Sequence, residues 1–417
     1  MVPISPSVRE TPVSRYILET FPATFRNQPA DEGTLIGLPH PYTVQGPDGG
    51  FPEMYYWDTY FTNLGLLRSP HQEMARHNVD NLLHLLQRYG YVPNASRQWG
   101  IDRSQPPYLA MMVHDVFEAF GDKAWLTGAV ALLKKEYAYW TVAHGTESGL
   151  SRHVYLYPAS PERLLKFYEQ ISRHRLKLTA DTDEQKCEIA RRYLAEAETG
   201  WDFNPRFGGR CPDFLPVDLN SNLHLYETHL AHFARILGTG EETQWEDAAA
   251  RRRERMSALL WDPSRQTYAD YNTVRGEHSP VVSAAMLHPL MAGAASPAEA
   301  AAVVAQLGRI EAPYGIAACE PGERDQLYQW DHPNGWPPSQ FAAVTGLLNY
   351  GYREKALQLL RAYLNTIERN FQTSGRLWEK YNVVSGNLEV ADEYPMPTFL
   401  GWTAGVYLWG AQLLNAS

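Results

Sequence analysis

The sequence predicts an all-α fold, a toroid of helical hairpins with its long loops gathered on one face. Three observations predict it. Apolar residues recur at helical spacing along most of the chain. Strand-like alternation is rare and short. The helical segments are separated by long loops rich in polar residues, glycine, proline and aromatics, and loops of that length in a compact domain are usually functional.

In chain order, helices are expected near 58–68, 70–89, 106–120, 122–144, 161–173, 182–198, 217–237, 241–260, 279–291, 297–310, 337–350 and 352–371, with a last one near 398–415. Val79, Leu82, Leu83 and Leu86 make one face of the second. Asp122 is placed to cap the fourth, whose face is Trp125, Ala129, Leu132, Leu133 and Trp140. Between 217 and 237, Leu219, Leu223, Tyr226, Leu230, Phe233 and Leu237 form one continuous stripe. Ala356, Leu359, Leu360 and Tyr363 repeat the pattern near the end. The intervening loops fall at 40–57, 90–106, 145–160, 199–216, 262–278, 312–336 and 372–397. Stacked helical repeats would show a self-similar period of about 33–47 residues, and none is found. No Ser/Gly-rich linker divides the chain. Residues 1–417 therefore read as a single domain, with 1–40 an N-terminal arm packed on it or extending from it.

Composition narrows the function. With 44% hydrophobic and 20% charged residues, the chain is not a disordered one. A formal net charge of −10 argues against nucleic acid or an anionic membrane as partner. No apolar run approaches the roughly 18 residues of a membrane span. The first residues carry no basic stretch followed by an apolar one, so the expected location is cytoplasmic. Cys187, Cys211 and Cys319 are odd in number, far apart and form no CxxC, which speaks against a disulfide framework or a cysteine zinc site. Aromatics are the one excess, with 12 Trp, 25 Tyr and 14 Phe. They build either a large core or faces for stacking on sugars.

The chemistry gathers in the loops. One segment, Gly46–Tyr60, sets Phe51, Glu53, Trp57 and Asp58 behind a glycine-rich turn. A second holds Asn94 and then Arg103-Ser104-Gln105-Pro106-Pro107. A third is Gly200-Trp201-Asp202-Phe203, and a fourth runs Gln329-Trp330-Asp331-His332-Pro333-Asn334-Gly335-Trp336. A fifth is Leu377-Trp378-Glu379-Lys380-Tyr381-Asn382, followed by Asp392-Glu393. Trp-Asp occurs at 57–58, 201–202, 261–262 and 330–331. A carboxylate beside an indole either caps a helix over a core tryptophan or binds sugar hydroxyls while the indole stacks on the ring. Three of the four pairs in long loops favour the sugar.

The first and fourth segments resemble the two signatures of the trehalases, glycoside hydrolase family 37. The Arg103–Pro107 run, Gly200–Phe203 and the last elements with Gly401-Trp402-Thr403 resemble further blocks of that family, in the same order. The resemblance implies an (α/α)6 barrel that hydrolyses an α-glycoside, most simply α,α-trehalose, with inversion and with no metal or organic cofactor. It implies Asp202 as general acid and Glu379 as general base. An inverting glycosidase needs one protonated carboxyl for the leaving oxygen and a second to activate water on the other ring face, about 6.5–9.5 Å away. Trp201 would keep Asp202 protonated by limiting its solvation, and Lys380 would keep Glu379 ionised. By the same match Trp57, Asp58, Asn94, Arg103, Gly200 and Glu393 resemble sugar-binding positions, and Glu162 a further one. Gln105, Trp201 and Trp330 complete the expected substrate-binding set. Phe51 and Trp336 read as cavity walls or core.

Two family arginines are replaced, by Gly50 before Phe51 and by Ser160 before Pro161-Glu162. The family's glycine-rich lid is replaced by the stretch 383–392, expected to be stiffer. These departures leave two other readings open. One is a relative in glycoside hydrolase family 63 that acts on glucosylglycerate or mannosylglycerate. The other is a sugar-binding protein without turnover, against which Asp202 and Glu379 both stand. The expected partner is a small sugar, and a monomer is the favoured state.

Other features read as structural. His224, His229 and His232 share a helix but show no HExxH and no third ligand nearby in sequence, so no metal is expected. Arg251-Arg252-Arg253-Glu254-Arg255 reads as an exposed helix face. Residues 261–271 lack the alternation of a calcium loop. There is no GxSxG, GxGxxG or Walker lysine motif.

Overall fold

A computed structural model describes residues 10–48, 50–174, 176–324, 326–390 and 395–416. Its helices are α1 (Pro12–Thr20), α2 (Tyr56–Leu66), α3 (Gln72–Tyr89), α4 (Leu109–Phe120), α5 (Lys123–Ala138), α6 (Pro161–His174), α7 (Asp183–Ala197), α8 (Val217–Leu237), α9 (Glu242–Leu260), α10 (His288–Met291), α11 (Pro297–Ala305), α12 (Pro337–Asn349), α13 (Arg353–Ser374) and α14 (Gly401–Asn415). The strands are each two residues long and pin loops together in sheets of two or three, such as Asn334–Gly335 against Tyr381–Asn382.

Six helices close an inner ring. Helix α2 packs on α4, α4 on α8, α8 on α10, α10 on α12, α12 on α14, and α14 returns to α2. Helices α3, α5, α9 and α13 lie outside them, α11 packs beside the α10 turn against Thr267–Tyr268, and α1 lies on α14. This is an (α/α)6 barrel. An inner helix is covered on both sides, so every residue of α2 is buried. Outer helices keep one wet face, and α3 buries Ala75, Val79, Leu82 and Leu86 while its other side carries the charges.

The ring closes tightest where α14 meets α2. Their backbones cross at Gly65 and Gly405, and a Cβ on Gly405 would lie 1.8 Å from the Phe61 carbonyl oxygen. Buried Arg68 spans the same seam, donating from Nε to Gln412 at 2.6 Å. Outside it, α1 begins at Thr11, whose hydroxyl accepts from the Ser14 amide. Tyr16 of α1 packs on Phe371 and Phe399, so part of the expected arm is the outer partner of α14.

Two expectations are corrected here. A helix over 279–291 shrinks to a 3-10 turn, Ala284–Leu287, running into α10. Pro280 disfavours helical geometry at Ser279, and the Ser283 side chain accepts from the Ala285 amide, so the turn starts late. The segment expected at 122–144 is helical to Ala138 and then widens into a π turn over Tyr139–Ala143. The α6–α7 hairpin is outside the ring. It is held by Leu164 and Tyr168 against Cys187, Ala190 and Leu194. The three cysteines are buried and unpaired with one another. Among the described residues, no helix is long and apolar enough to cross a membrane.

Candidate active site

A cavity of about 680 Å³ opens at one end of the ring, within the range of small-molecule sites. The first residues of α2 and α14 line it, with Trp336 at the cap of α12 and the loops before α4 and after α7. Helix N-termini carry partial positive charge, and this end of the barrel therefore favours carboxylates.

Asp58 is the third residue of α2 and is buried. Burial, reinforced by the charges of Glu379 and Asp202, pushes its carboxyl up to about 8. Those influences place the three carboxyls in one electrostatic neighbourhood. Asp58 is also hydrogen-bonded to Gln105, which accepts from the Trp57 amide at 3.1 Å.

The Asp202 loop is held by its neighbours. Gly200 has φ +73°, and a Cβ there would lie 2.7 Å from the Trp57 ring, so only glycine lets the loop approach. Phe203 is forced to φ 58°, a region that bulky residues rarely adopt. It is kept there by stacking on Tyr193. Asn204 donates to the Trp201 carbonyl at 2.6 Å, and its own amide donates to Glu196. Asp202 is left half-buried at the cavity.

Glu379 is positioned by α14. Trp402 Nε1 donates to the Glu379 carbonyl at 3.0 Å, and Thr403 donates to the Trp378 carbonyl at 2.7 Å. Its carboxylate accepts from Lys380 Nζ at 2.8 Å, both side chains being almost fully buried. Lys380 in turn lies 4.6 Å over the Trp336 ring. Trp336 stacks on Trp330 at 4.0 Å and 6°, and Trp330 on Trp201 at 5.0 Å and 24°. The Arg206 guanidinium closes the far end of this column, 4.7 Å over Trp201. Fully buried Arg206 is neutralised by Asp218 and Asp270, each contacted through two nitrogens.

The opposite wall is cationic. Buried Asp102 accepts from Arg103 at 2.6 Å and from Arg163 of α6 at 2.5 Å. Lys166, Phe167 and Gln170 of α6 continue this wall. Glu198 anchors the loop before α4 by accepting from the Ser104 amide at 3.1 Å. Burial raises the Glu198 carboxyl, but His144 and His153 outweigh it and hold it below its usual value.

Of the expected residues, Phe51, Trp57, Asp58, Asn94, Arg103, Gln105, Gly200, Asp202, Trp330, Trp336 and Glu379 all line this cavity. Trp201 does not; its ring lies behind Trp330 and its place is in the column. Glu162 is exposed on the first turn of α6 and does not line the cavity either, because the α6 face turned inward is that of Arg163, Lys166 and Phe167. Glu393 lies outside the described residues. The Trp261-Asp262 pair is remote, Asp262 accepting from Ser264 and Arg265 in its own turn. Asp331 binds Arg324. Gly50 sits exposed at the rim with open space around it. Within 383–390 a turn is held by Asn382, which accepts from the Val384 and Ser385 amides, and is pinned to α13 through the Gly386 carbonyl. None of these residues lines the cavity. Sequence reading missed Arg163 and Lys166; their only signal was their positions, one and nearly two helical turns beyond the family arginine that Ser160 replaces.

An (α/α)6 barrel with paired carboxyls and indoles in a cavity at the inner helix N-termini defines the class: a glycoside hydrolase. The profile of the trehalase family matches residues 19–415. The chain is 34% identical to the periplasmic trehalase of Pseudomonas aeruginosa over 95% of its own length and 75% of that protein. It is 33% identical to the periplasmic trehalase of Xanthomonas oryzae pv. oryzae, over 92% and 69% of the two chains. In structure it is similar to the neutral trehalase Nth1 of Saccharomyces cerevisiae, with a TM-score of 0.75, 27% identity and coverage of 90% and 74%. The GH63 mannosylglycerate hydrolase of Thermus thermophilus shares the fold, at a TM-score of 0.68 and 19% identity over 96% and 99%. This chain belongs to the trehalase family. The expected cytoplasmic location is overturned by the Pseudomonas and Xanthomonas relatives, which are named periplasmic trehalases.

Proposed function

We propose that the chain is an inverting α,α-trehalase acting in the periplasm, as its relatives are named, and working as a single catalytic domain and a monomer. The observation that carries this reading is the convergence of Asp202, Glu379 and a largely buried Asp58 on one cavity floored by indoles. In this reading Asp202 protonates the glycosidic oxygen as the bond to the anomeric carbon breaks. Glu379, ionised beside Lys380, takes a proton from the water that attacks the opposite face. Atoms balance as trehalose plus water giving two glucose molecules, one released as the β-anomer. Asp58, kept protonated through neutral pH, offers a hydroxyl hydrogen to the sugar and adds no second negative charge beside Glu379. Trp57 and Trp330 give the ring its apolar faces, and Arg103 with Arg163 binds hydroxyls of the second glucose.

Proton NMR of the purified chain with trehalose tests this directly. Equal α- and β-glucose in the first minutes, before mutarotation, is the expected result. Asp202→Asn and Glu379→Gln should each lower kcat by about 10²–10⁴-fold. Release of α-glucose alone would refute inversion. Parent-like rates in both variants would refute the assignment of the two carboxyls. No glucose from trehalose, with turnover of glucosylglycerate or mannosylglycerate, would move the substrate to the glycerates.

A further inference from the structure

We propose that His114 and Glu118 of α4 and His232 of α8 form a binding site for a zinc-class transition-metal dication, at the end of the barrel opposite the catalytic cavity. One potential ligand atom from each of these residues lies within 4.8 Å of the other two. His114 and Glu118 are four residues apart, on one face of α4, and α8 packs directly against that helix. The rings of His114 and His232 have centroids 5.6 Å apart. Two imidazoles bound through one nitrogen each to a tetrahedral ion, at about 2.0–2.1 Å, place their centroids about 5 Å apart. Little movement separates the observed arrangement from a closed one.

Three further observations point to a ligand. His114 Nδ1 is 3.1 Å from the Asp115 carboxylate. With its proton on Nδ1 towards that carboxylate, the ring would turn Nε2 to a metal, the carboxylate–histidine arrangement that orients metal-binding imidazoles. His232 Nε2 is buried and has no hydrogen-bond partner among the described residues. His229, one turn before His232, sits 4.7 Å from the His114 ring.

The surroundings suit a cation. The site adjoins a recess of about 470 Å³ with room for a bound water. Of the arginines lining that recess, Arg235 is paired with Glu246 at 2.7 Å, and Arg253 is the other. Both helices approach their C-terminal ends here, where partial negative charge favours a positive ion. Two imidazoles and one carboxylate are a nitrogen-rich donor set, suited to Zn²⁺, Co²⁺ or Ni²⁺ and not to Ca²⁺ or Mg²⁺, which prefer all-oxygen shells. A bound ion would clamp two adjacent inner helices.

Titration of the chelator-treated full chain with Zn²⁺, and separately with Co²⁺, tests the site. The expected result is one ion per chain, a visible Co²⁺ spectrum of tetrahedral type, and a Zn²⁺-dependent rise in Tm. His232→Gln and Glu118→Gln should weaken binding at least ~10-fold, and Asp115→Asn about 10–100-fold without removing a ligand. Trehalose hydrolysis by these variants reports that they remain folded. No saturable uptake overturns the proposal. So does uptake left unchanged by His232→Gln and Glu118→Gln in active protein, which would show that the ion binds elsewhere.

Discussion

Replacing Asp58 with asparagine should make the protein more stable as pH rises while costing activity. The unfolded carboxyl titrates near 3.8 and the folded one near 8. Between those values the native state holds a proton that the unfolded state has released. Stability from this group is therefore full below about pH 4 and declines as pH rises to 8. A window of about four units at 1.36 kcal/mol each gives a decline of about 5–6 kcal/mol, of which about 4 kcal/mol is spent by pH 7. An asparagine side chain in that place would keep the shape and the bond to Gln105 but has no proton to lose. The assay is urea denaturation of both proteins at intervals from pH 4.5 to 8.5 (about the window set by the two values). The variant should gain on the parent by about 1.4 kcal/mol per pH unit, up to the folded value. Parallel curves, or a variant that loses ground as pH rises, would refute the burial argument. Trehalose turnover by the variant should fall at every pH, since a carboxyl that shares the cavity with the two reacting carboxyls is lost.

Three further outcomes are expected. Asp270→Ala strands half of the Arg206 charge in a fully buried place, and should cost about 3–5 kcal/mol in denaturant titration while loosening the Trp201-Asp202 loop; a loss below 1 kcal/mol would mean that Asp218 alone satisfies the guanidinium. Arg163→Ala should raise KM for trehalose about 10-fold or more with kcat little changed, the signature of a contact worth equally much before and during reaction; an unchanged KM removes α6 from the substrate site. Gly405→Ala should destabilise by about 1–3 kcal/mol or more, because its methyl group meets the α2 backbone, whereas Gly50→Ala at the open rim should be neutral within ~0.5 kcal/mol; equal melting temperatures for the two would contradict the seam.

The helices were legible because each carries its own period, and the stripe from Leu219 to Leu237 needs no distant partner to be seen. Helix α1 was not, since nine residues give too short a stripe and its capping box uses Ser14 in place of Glu or Gln. Nor did periodicity separate the α6–α7 hairpin from the ring pairs; only the packing partners do that. Trp57, Asn94, Asp202 and Glu379 were found because motif order in the chain survives as proximity in space. The elevated Asp58 carboxyl was invisible, because it depends first on burial by the closed ring and then on Glu379, more than 300 residues away. The same distance effect hid His114 from His232: the third ligand comes from another helix, not from the next turn.

The seam between α2 and α14 also dictates when the barrel can be finished. The first inner helix to leave the ribosome presents a surface, around Phe61 and Gly65, whose permanent neighbour is the last to be synthesised. Until α14 arrives, α2 waits with an apolar flank uncovered, and Glu379 lacks the indole and hydroxyl that hold its backbone. Catalytic competence therefore waits on ring closure and appears in one step with it. Such long-range pairing is slow and exposes aggregation-prone surface meanwhile, so a nascent chain stalled before residue 401 would be a client for holdase chaperones, not a partly active enzyme.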